Sequence, residues 1–257
     1  MNGRVLGIVP ARLASTRLPN KPLYPLLGRP LIEWVWRRVE GMKVLDEAVV
    51  ATDAEEVAEV CRAMGAPVEL TSPDHPSGTD GVAEVARLEK YSGYEVIANI
   101  QGDEPLLKEA HLRAAIELVR ERGWEIGTCA TPLMDPESRK DPSVVKVVRA
   151  RSGRALYFSR SPIPYKRDEK PSAEELGREP FLRHIGIYAY RVGYLHRYGE
   201  MRPCPLEQAE QLEQLRALWY GERIHVAEAS QRPGPGVDTE DDLRIVEQLL
   251  KARLNGN

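Results

Sequence analysis

The sequence predicts an α/β fold in which a mostly parallel sheet carries helices on both faces. Two patterns indicate this fold. Short apolar segments of strand length alternate with longer segments whose apolar residues recur at helical spacing. Glycines and capping residues mark several ends of the longer segments. A chain of 257 residues can bury a sizeable core, and one domain with an insertion is the default organisation at this length.

The first half of the chain predicts four strands and four helices in alternation. The predicted strands are Val5 to Val9, Ala48 to Ala51, Val68 to Leu70 and Val96 to Ile100. The predicted helices are Leu31 to Glu40, Ala54 to Met64, a segment from just after Thr79 to about Lys90, and Lys108 to Arg122. Asp53 is placed to cap the second helix, and Gly65 is placed to end it. Because strands alternate with helices, the strands should pair in parallel.

After a strand from Ile126 to Thr131 this alternation breaks. Three more strands are predicted at Val144 to Val148, Leu156 to Phe158 and Ile185 to Tyr190, around a polar, proline-containing segment from Ser161 to Pro180. We interpret residues 133–205 as a smaller inserted subdomain, within one domain of residues 1–257, that covers a site or builds an interface. The alternation resumes with a helix from Leu206 to Tyr220, a strand from Ile224 to Ala229 and a helix from Thr239 to Leu254.

The composition excludes several functional classes. The formal net charge is -3 and no long block of like charges occurs, so binding to nucleic acid or to an anionic membrane is not expected. Cys61, Cys129 and Cys204 are too widely spaced for a disulfide framework or a zinc site. No apolar run reaches the length of a membrane span, and the Val5 to Val9 segment is too short for a signal peptide. We therefore expect a cytoplasmic protein with reduced cysteines.

A basic loop follows the first strand, from Pro10 to Pro22. It carries three cations and two hydroxyl groups at the carboxyl end of that strand, where ligands bind in open α/β sheets. The side chains of Arg12 and Lys21 suit the oxygens of a triphosphate. The loop contains neither a Walker A sequence nor GxGxxG, so it does not predict a P-loop or a dinucleotide site. The alternative is an ordinary solvated basic loop.

Two acidic segments are candidates for a metal site. Asp103 lies just beyond the strand that ends near Ile100, and Mg²⁺ is usually held by one or two carboxylates together with substrate phosphates. Asp238 would supply a second carboxylate if the end of the chain returns close to Asp103. Each segment also has a simpler interpretation. Glu104 favours the start of a helix, and Asp238 or Thr239 can serve as an N-cap.

Two polar segments could recognise the rest of a substrate. The turn His75 to Asp80 contains Ser77, Gly78 and Thr79, which could contact the edge of a base or could cap the following helix. In the helix from Leu206, the side chains of Glu207, Glu210, Gln211 and Gln214 recur at three- and four-residue spacing, so they predict one polar face. That face suits the hydroxyl groups of a polyol, although a solvated face is the alternative.

A third group of candidates belongs to the inserted region. Arg160 follows one predicted strand, while Arg183, His184 and Tyr188 flank or lie in another. A substrate with a carboxylate would require an arginine and several hydrogen-bonding side chains. A single histidine such as His184 is more often a buried structural residue.

Taken together, these segments resemble the CMP-Kdo synthetases, the 3-deoxy-manno-octulosonate (Kdo) cytidylyltransferases. The segments that carry the resemblance are PARLASTRLPNKPL, ATD, HPSGTD, NIQGDEP, KVV, ALYFSRSPIP, FLRHIGIYAYR, PLEQAEQLEQLRALWYGERIHV and PGVDTEDDL, in the order of the family. They span essentially the whole chain. The sequence departs from the family at Leu13, where an aromatic residue is common, and over residues 166–179, which are individual to this chain.

The resemblance implies a Rossmann-like nucleotidyltransferase fold with a smaller subdomain that also forms a homodimer. It implies that CMP is transferred from CTP to the anomeric hydroxyl of Kdo, with Mg²⁺ as the cofactor, for lipopolysaccharide precursor synthesis. An amino-Kdo or nonulosonate substrate is an alternative, and a non-catalytic nucleotide-binding homologue is another. The implied catalytic residues are Arg12, Lys21 and Asp103, and the implied ligands of one or two Mg²⁺ ions are Asp103 and Asp238. The implied nucleotide-binding residues are Pro10, Ala11, Arg12, Lys21, Ser77, Gly78 and Thr79, and the implied sugar-binding residues are Gln101, Arg160, His184, Tyr188, Glu210 and Gln214.

Overall fold

The computed structural model describes residues 3–13, 18–167 and 169–255. The strands are β1 Val5–Pro10, β2 Pro25–Leu26, β3 Arg29–Pro30, β4 Glu47–Thr52, β5 Val68–Leu70, β6 Val96–Asn99, β7 Ile126–Pro132, β8 Lys146–Arg149, β9 Ala155–Ser159, β10 Leu182–Arg191 and β11 Ile224–Glu228. The α-helices are α1 Leu31–Glu40, α2 Glu55–Ala63, α3 Gly78–Ala86, α4 Glu109–Arg120, α5 Pro136–Lys140, α6 Ala173–Leu176, α7 Val192–Tyr198, α8 Pro205–Glu210, α9 Gln214–Trp219 and α10 Glu240–Asn255. No helix in the described ranges has the length and apolar character needed to cross a bilayer.

The chain forms two compact units. The terminal unit contains the described parts of residues 4–109 and 233–255, and the central unit contains residues 110–232 with Gly3. The interpretation of residues 1–257 as one domain with an insertion stays a prediction. Residues 133–205, the predicted insertion, lie within the central unit.

The terminal unit is built on a parallel sheet with the strand order β6-β1-β4-β5. The side chains of Val5, Leu6, Ile8 and Val9 in β1 are fully buried, as expected of a parallel strand covered on both faces. The carboxyl ends of β1, β4 and β6 lie at one edge of this sheet because the strands are parallel. The loops that follow them therefore start side by side, which is the usual location of ligand sites in such sheets.

The last helix packs within the terminal unit and brings the end of the chain to this edge. Side chains from α10 share an apolar cluster with α1 and its preceding loops; its buried members are Leu18, Leu26, Leu31, Leu106, Val237, Leu243, Val246 and Leu250. The backbone N–H of Val237 donates to the carbonyl oxygen of Asp103 at 2.9 Å. The approach is close enough that a Cβ at Gly234 would lie 2.7 Å from the Cβ of Leu106.

The central unit has a mixed sheet in which β11 pairs with β7 in parallel, while the β7–β10, β10–β8 and β8–β9 pairs are antiparallel. A bulge interrupts β10 between Ile185 and Tyr188. This sheet contains the segments in which the sequence pattern broke its strand–helix alternation. Antiparallel pairing, with β8 and β9 joined through residues 150–154 without an intervening helix, explains that break.

The structure confirms the α/β fold class, and most predicted elements lie within a few residues of the observed ones. It corrects two helices. The helix expected after Thr79 begins at Gly78 and ends at Ala86. The continuous helix expected from Leu206 to Tyr220 is divided into α8 and α9 because Gln211 adopts a left-handed conformation, with φ of 52°. Gly65 does end α2, with the positive φ of 80° expected of a glycine after a helix.

Candidate active site

Lys21 joins the two carboxylates that the sequence proposed as metal ligands. Its Nζ donates to Asp103 Oδ2 at 2.7 Å and to Asp238 Oδ1 at 2.8 Å. Burial alone would lower the pKa of Lys21, but its attraction to Asp103 and its hydrogen bonds to both carboxylates raise that pKa above the ordinary value. Lys21 is therefore an ammonium ion at neutral pH. Two carboxylates distant in sequence converge on one point of the terminal unit.

Asp103 reaches this point because the loops after β1 and β6 approach closely. Gly102 precedes it, and a Cβ at this glycine would lie 2.4 Å from the carbonyl oxygen of Pro10. Any side chain at residue 102 would force the loops apart. The predicted sugar-binding residue Gln101 is partly exposed and lies in the same turn, where its carbonyl oxygen accepts from the Glu104 N–H.

Asp238 is directed to Lys21 because other groups cap α10. The carboxylate of Asp242 accepts from the backbone N–H groups of Asp238 at 3.0 Å and Thr239 at 2.8 Å. In return, the hydroxyl of Thr239 accepts from the Asp242 N–H at 3.2 Å. This reciprocal pattern is a capping box. Thr239 thus serves as the N-cap that the sequence allowed, and the side chain of Asp238 is left for the cationic site.

Arg12 and the start of the basic loop lie on the end of β4. Ala11 N–H donates to the carbonyl oxygen of Ala51 at 2.8 Å, which continues the pairing of β1 with β4 beyond Pro10. Arg12 Nε donates to Asp53 Oδ2 at 3.2 Å. Asp53 was predicted to cap α2, and that prediction was wrong: the N-cap of α2 is Ala54, which makes no side-chain cap hydrogen bond.

The Ser77–Thr79 turn belongs to the terminal unit and begins α3. Ser77 is the N-cap, and its hydroxyl accepts from the Asp80 N–H. The side-chain amide of Asn99, at the end of β6, donates to the Thr79 hydroxyl at 3.5 Å. The buried Oδ1 of Asn99 has no hydrogen-bond partner among the described residues. The capping interpretation is thus realised, and a contact of this turn with a base stays a prediction.

In the central unit, Arg160 and Glu210 contact each other. The Glu210 carboxylate accepts from the Ser159 hydroxyl at 2.6 Å and from the Arg160 N–H at 2.9 Å. Arg160 Nε donates to the Glu210 carbonyl oxygen, and its other nitrogens donate to the carbonyl oxygens of Pro142 and Gln211. Both side chains are held in place before any substrate binds.

His184 and Tyr188 lie on either side of the bulge in β10 and contact each other, with ring centroids 5.4 Å apart. His184 Nε2 is 2.9 Å from the hydroxyl oxygen of Thr128, and burial lowers the pKa of His184 to about 3. Burial, followed by the nearby Tyr190 and Glu213, raises the pKa of Tyr188 well above its ordinary value. Within the described ranges, the buried hydroxyl of Tyr188 has no hydrogen-bond partner. His184 is therefore neutral at pH 7, and Tyr188 keeps its proton.

The polar face predicted for residues 207–214 does not form. Glu207 turns inward and binds the fully buried Arg216, with distances of 2.6 and 2.8 Å. Gln211 is the residue at which the helix divides, and it is exposed. Gln214 begins α9 and is partly exposed. The prediction of one polyol-binding face was wrong, and only Glu210 and Gln214 stay candidates for the sugar.

Sequence reasoning also missed a buried cation, Lys146. Its Nζ donates to the carbonyl oxygens of Asp141 at 2.9 Å, Val144 at 2.5 Å and Arg160 at 2.5 Å. Burial lowers its pKa despite the opposing attraction of Asp141. Lys146 fixes the backbone beside Arg160. The only sequence signal was the position of a lysine in the predicted strand Val144 to Val148, which is otherwise apolar.

The low pKa of His184 predicts a pH-dependent loss of stability. The unfolded histidine binds a proton below about pH 6.5, whereas the folded one resists protonation to about pH 3, so stability should fall as the pH drops through this interval. The contribution reaches about 1.4 kcal/mol per pH unit. Urea unfolding of the His184→Gln variant should show a shallower fall than the wild type. His196→Gln, which alters an exposed histidine, should follow the wild-type curve; an identical slope for His184→Gln would contradict the prediction.

Comparison with known proteins agrees with this architecture. The family model described as cytidylyltransferase matches residues 6–224. The fold and this match define the chain as a cytidylyltransferase. Its sequence is 50% identical to the 3-deoxy-manno-octulosonate cytidylyltransferase of Alkalilimnicola ehrlichii, over 95% of both chains, and 46% identical to that of Pseudomonas fluorescens, over 95% of this chain and 97% of the relative. The chain belongs to the 3-deoxy-manno-octulosonate cytidylyltransferase family.

A solved structure supports the same grouping. The structure of a CMP:2-keto-3-deoxy-manno-octonic acid synthetase complexed with CTP superposes with a TM-score of 0.86 and 36% sequence identity. The match covers 97% of this chain and 99% of the other. The Rossmann-like nucleotidyltransferase fold expected from the sequence is thereby confirmed.

Proposed function

We propose that this enzyme transfers CMP from CTP to the anomeric hydroxyl of Kdo and releases pyrophosphate. The observation that carries the proposal is the convergence of Lys21, Asp103 and Asp238 at the carboxyl edge of a parallel sheet. Membership of the family and the CTP complex of the related synthetase support it. The step supplies a CMP-activated sugar acid for lipopolysaccharide precursor synthesis.

In this reaction the sugar hydroxyl attacks the α-phosphorus of CTP in line with the leaving pyrophosphate. A bond forms between the hydroxyl oxygen and the α-phosphorus while the bond to the bridging oxygen of pyrophosphate breaks. Charge spreads over the phosphoryl oxygens, so positioning and charge neutralisation are the main tasks of the protein. We assign Arg12 and Lys21 to the phosphates, and Pro10, Ala11 and the Ser77–Thr79 turn to cytidine.

Asp103 and Asp238 fit a Mg²⁺ site in the chemistry of their donor atoms. Mg²⁺ prefers carboxylate oxygens together with substrate phosphates, and both carboxylates lie within hydrogen-bonding distance of one atom, Lys21 Nζ. When bound, one or two Mg²⁺ ions would neutralise phosphate charge and act as Lewis acids. Lys21 competes with a divalent cation for the same carboxylates. Loss of these contacts would free its ammonium group to bind phosphate oxygens.

We assign the sugar to Gln101, Arg160, His184, Tyr188, Glu210 and Gln214. The buried hydroxyl of Tyr188, without a partner among the described residues, supports a polar ligand in this region. Arg160 already donates to three carbonyl oxygens. It would therefore attract a substrate carboxylate mainly by its positive charge rather than by a bidentate hydrogen bond. Neutral His184 can supply a hydrogen bond but no charge at pH 7.

We further propose that the enzyme is a cytoplasmic homodimer that associates through the central unit. Large apolar side chains of this unit are exposed: Leu156 at 53% and Trp219 at 54%. Exposed apolar side chains mark a protein interface where they form one contiguous patch. Sedimentation equilibrium should give twice the chain mass of 28.9 kDa, and a mass of 28.9 kDa at micromolar concentration would contradict the dimer.

A substrate panel tests the proposed reaction. With CTP and Mg²⁺ fixed, pyrophosphate release should be fastest with Kdo, followed by amino-Kdo and then a sialic-acid-like nonulosonate. With Kdo fixed, CTP should be preferred to UTP, ATP and GTP. Faster release with another acidic sugar would transfer the assignment to that sugar. CTP binding without pyrophosphate release from any member of the panel would indicate a non-catalytic homologue.

A further inference from the structure

Asp53 lies at the end of β4 beneath the loop that carries Arg12. One of its carboxylate oxygens, Oδ2, accepts from Arg12 Nε at 3.2 Å, and the other, Oδ1, accepts from the backbone N–H of Leu13 at 3.3 Å. The side chain of Asp53 is 10% exposed and that of Arg12 is 27% exposed. A single, nearly buried carboxylate therefore fixes both the backbone of the loop and the side chain of its first cation.

The residues before Asp53 hold the same loop. The carbonyl oxygen of Ala51 accepts from Ala11 N–H at 2.8 Å, and the hydroxyl of Thr52 donates to the Ala11 carbonyl oxygen at 2.7 Å. Three consecutive residues of β4 and its end thus bind the loop from residue 11 to residue 13. The parallel sheet therefore fixes the backbone position from which the Arg12 side chain extends.

Because Asp53 binds the loop, it does not cap the helix that follows it. Aspartate is among the most favourable N-cap residues, yet the N-cap of α2 is the next residue, Ala54, which makes no side-chain cap hydrogen bond. The carboxylate contacts the loop instead of the helix that follows it. Departures of this kind from local sequence rules concentrate at functional sites.

We propose that Asp53 is a positioning residue for CTP, and this inference rests on the proposed function. Its contact with Arg12 uses Nε, so the remaining N–H donors of the guanidinium can reach the triphosphate. Arginine has many rotamers, and fixing one of them before binding lowers the entropic cost of association. By itself the Asp53 carboxylate repels a triphosphate. It can therefore strengthen CTP binding only by orienting the side chain of Arg12.

Steady-state kinetics of single and double variants test this dependence. Asp53→Ala should raise the KM for CTP about tenfold, the loss expected for a hydrogen bond to a charged group, with little change in the KM for Kdo. In an Arg12→Ala background the same substitution should cause no further rise, and removing the anion should even lower the KM for CTP. A residue that only stabilises the fold would cause the same loss in both backgrounds.

Two further variants make the test sharper. Asp53→Asn keeps an oxygen that can accept from Leu13 N–H but removes the charge opposite Arg12, so the rise in the KM for CTP should persist. It also serves if Asp53→Ala does not fold. Glu55→Gln removes a carboxylate from an exposed ion pair with Arg62 on α2, and it should leave all constants unchanged.

The outcomes separate this inference from the proposed function. If the wild type releases no pyrophosphate from CTP and any acidic sugar, the proposed function fails first. If the wild type is active, wild-type constants for Asp53→Asn, equal losses in both backgrounds, or an Arg12→Ala variant with a normal KM for CTP would each overturn the role of Asp53.

Discussion

Asp103→Asn should lower the turnover of CTP and Kdo by ~10²-fold or more, the cost typical of losing an electrostatic stabiliser of the transition state. The substitution keeps the size of the side chain, removes its charge and replaces one acceptor oxygen with an NH2 donor. That charge now binds Lys21 at 2.7 Å, together with Asp238. If both carboxylates hold Mg²⁺, the variant should also need a higher Mg²⁺ concentration for half-maximal activity. The measurement is pyrophosphate release over a Mg²⁺ titration at saturating CTP and Kdo.

A matched control lies on the same unit. Asp241 is exposed on α10 and pairs with Arg244, so Asp241→Asn changes the net charge of the chain equally without altering the site. It should retain wild-type turnover and the wild-type Mg²⁺ requirement. Asp238→Asn should instead shift the Mg²⁺ requirement in the same direction as Asp103→Asn. Near-normal turnover of Asp103→Asn would refute the proposed metal role.

The position of this site could be predicted because it depends on sheet topology. Alternating strands and helices imply parallel strands, and parallel strands bring the loops after them to one edge. Arg12, Lys21 and Asp103 each follow a strand of this kind, so their residue types alone indicated a cationic and acidic site. The sequence alone could not predict that Asp238 lies close to Asp103. That proximity depends on how α10 packs against α1, which is a contact between distant segments.

Asp53 and Glu207 were interpreted incorrectly because local rules favoured other roles. Aspartate before a helix predicts a cap, and polar residues at three- and four-residue spacing predict a helical face. In both cases a tertiary partner, Arg12 or Arg216, binds the carboxylate, and Glu207 also accepts from the Cys204 N–H in the first turn of α8. A signal was present in the second case: Pro205 at the first helical position, with Glu207 two residues later, marks the first turn of a helix. Glu207 was therefore better placed for capping than for a solvated face.

The central unit was less predictable for a related reason. Its sheet mixes parallel and antiparallel pairs, and its short helices follow no regular alternation. The division at Gln211 depends on a left-handed backbone conformation that glutamine rarely adopts, so no residue preference indicates it. The contacts described for Arg160 and Lys146 are with backbone carbonyl groups, and Glu210 accepts from a backbone N–H as well as from the Ser159 hydroxyl. Backbone groups occur in every sequence, so residue types do not indicate such contacts.

Glu207→Ala should lower the free energy of unfolding by about 3–5 kcal/mol, because it removes the carboxylate that pairs with a buried guanidinium. Arg216 is 0% exposed, and two of its nitrogens bind the Glu207 carboxylate at 2.6 and 2.8 Å. Among its other contacts, the Met201 carbonyl oxygen lies at 3.4 Å, and the centroid of the Tyr198 ring lies 4.6 Å from the guanidinium carbon. Neither of these two groups carries a negative charge. Urea unfolding followed by circular dichroism measures the effect.

Two comparisons distinguish the loss of a charged partner from a simple loss of packing. The double variant Glu207→Leu with Arg216→Met removes both charges and should recover most of the lost stability, because buried ion pairs can often be replaced by apolar side chains at little cost. Glu137→Gln, which breaks an exposed pair with Lys140, should change stability by less than about 1 kcal/mol. If Glu207→Ala does not fold, Glu207→Gln serves in its place, since it keeps the shape and removes the charge. If the double variant is as unstable as the single one, then Glu207 stabilises α8 and α9 through the shape of its side chain and not through its charge.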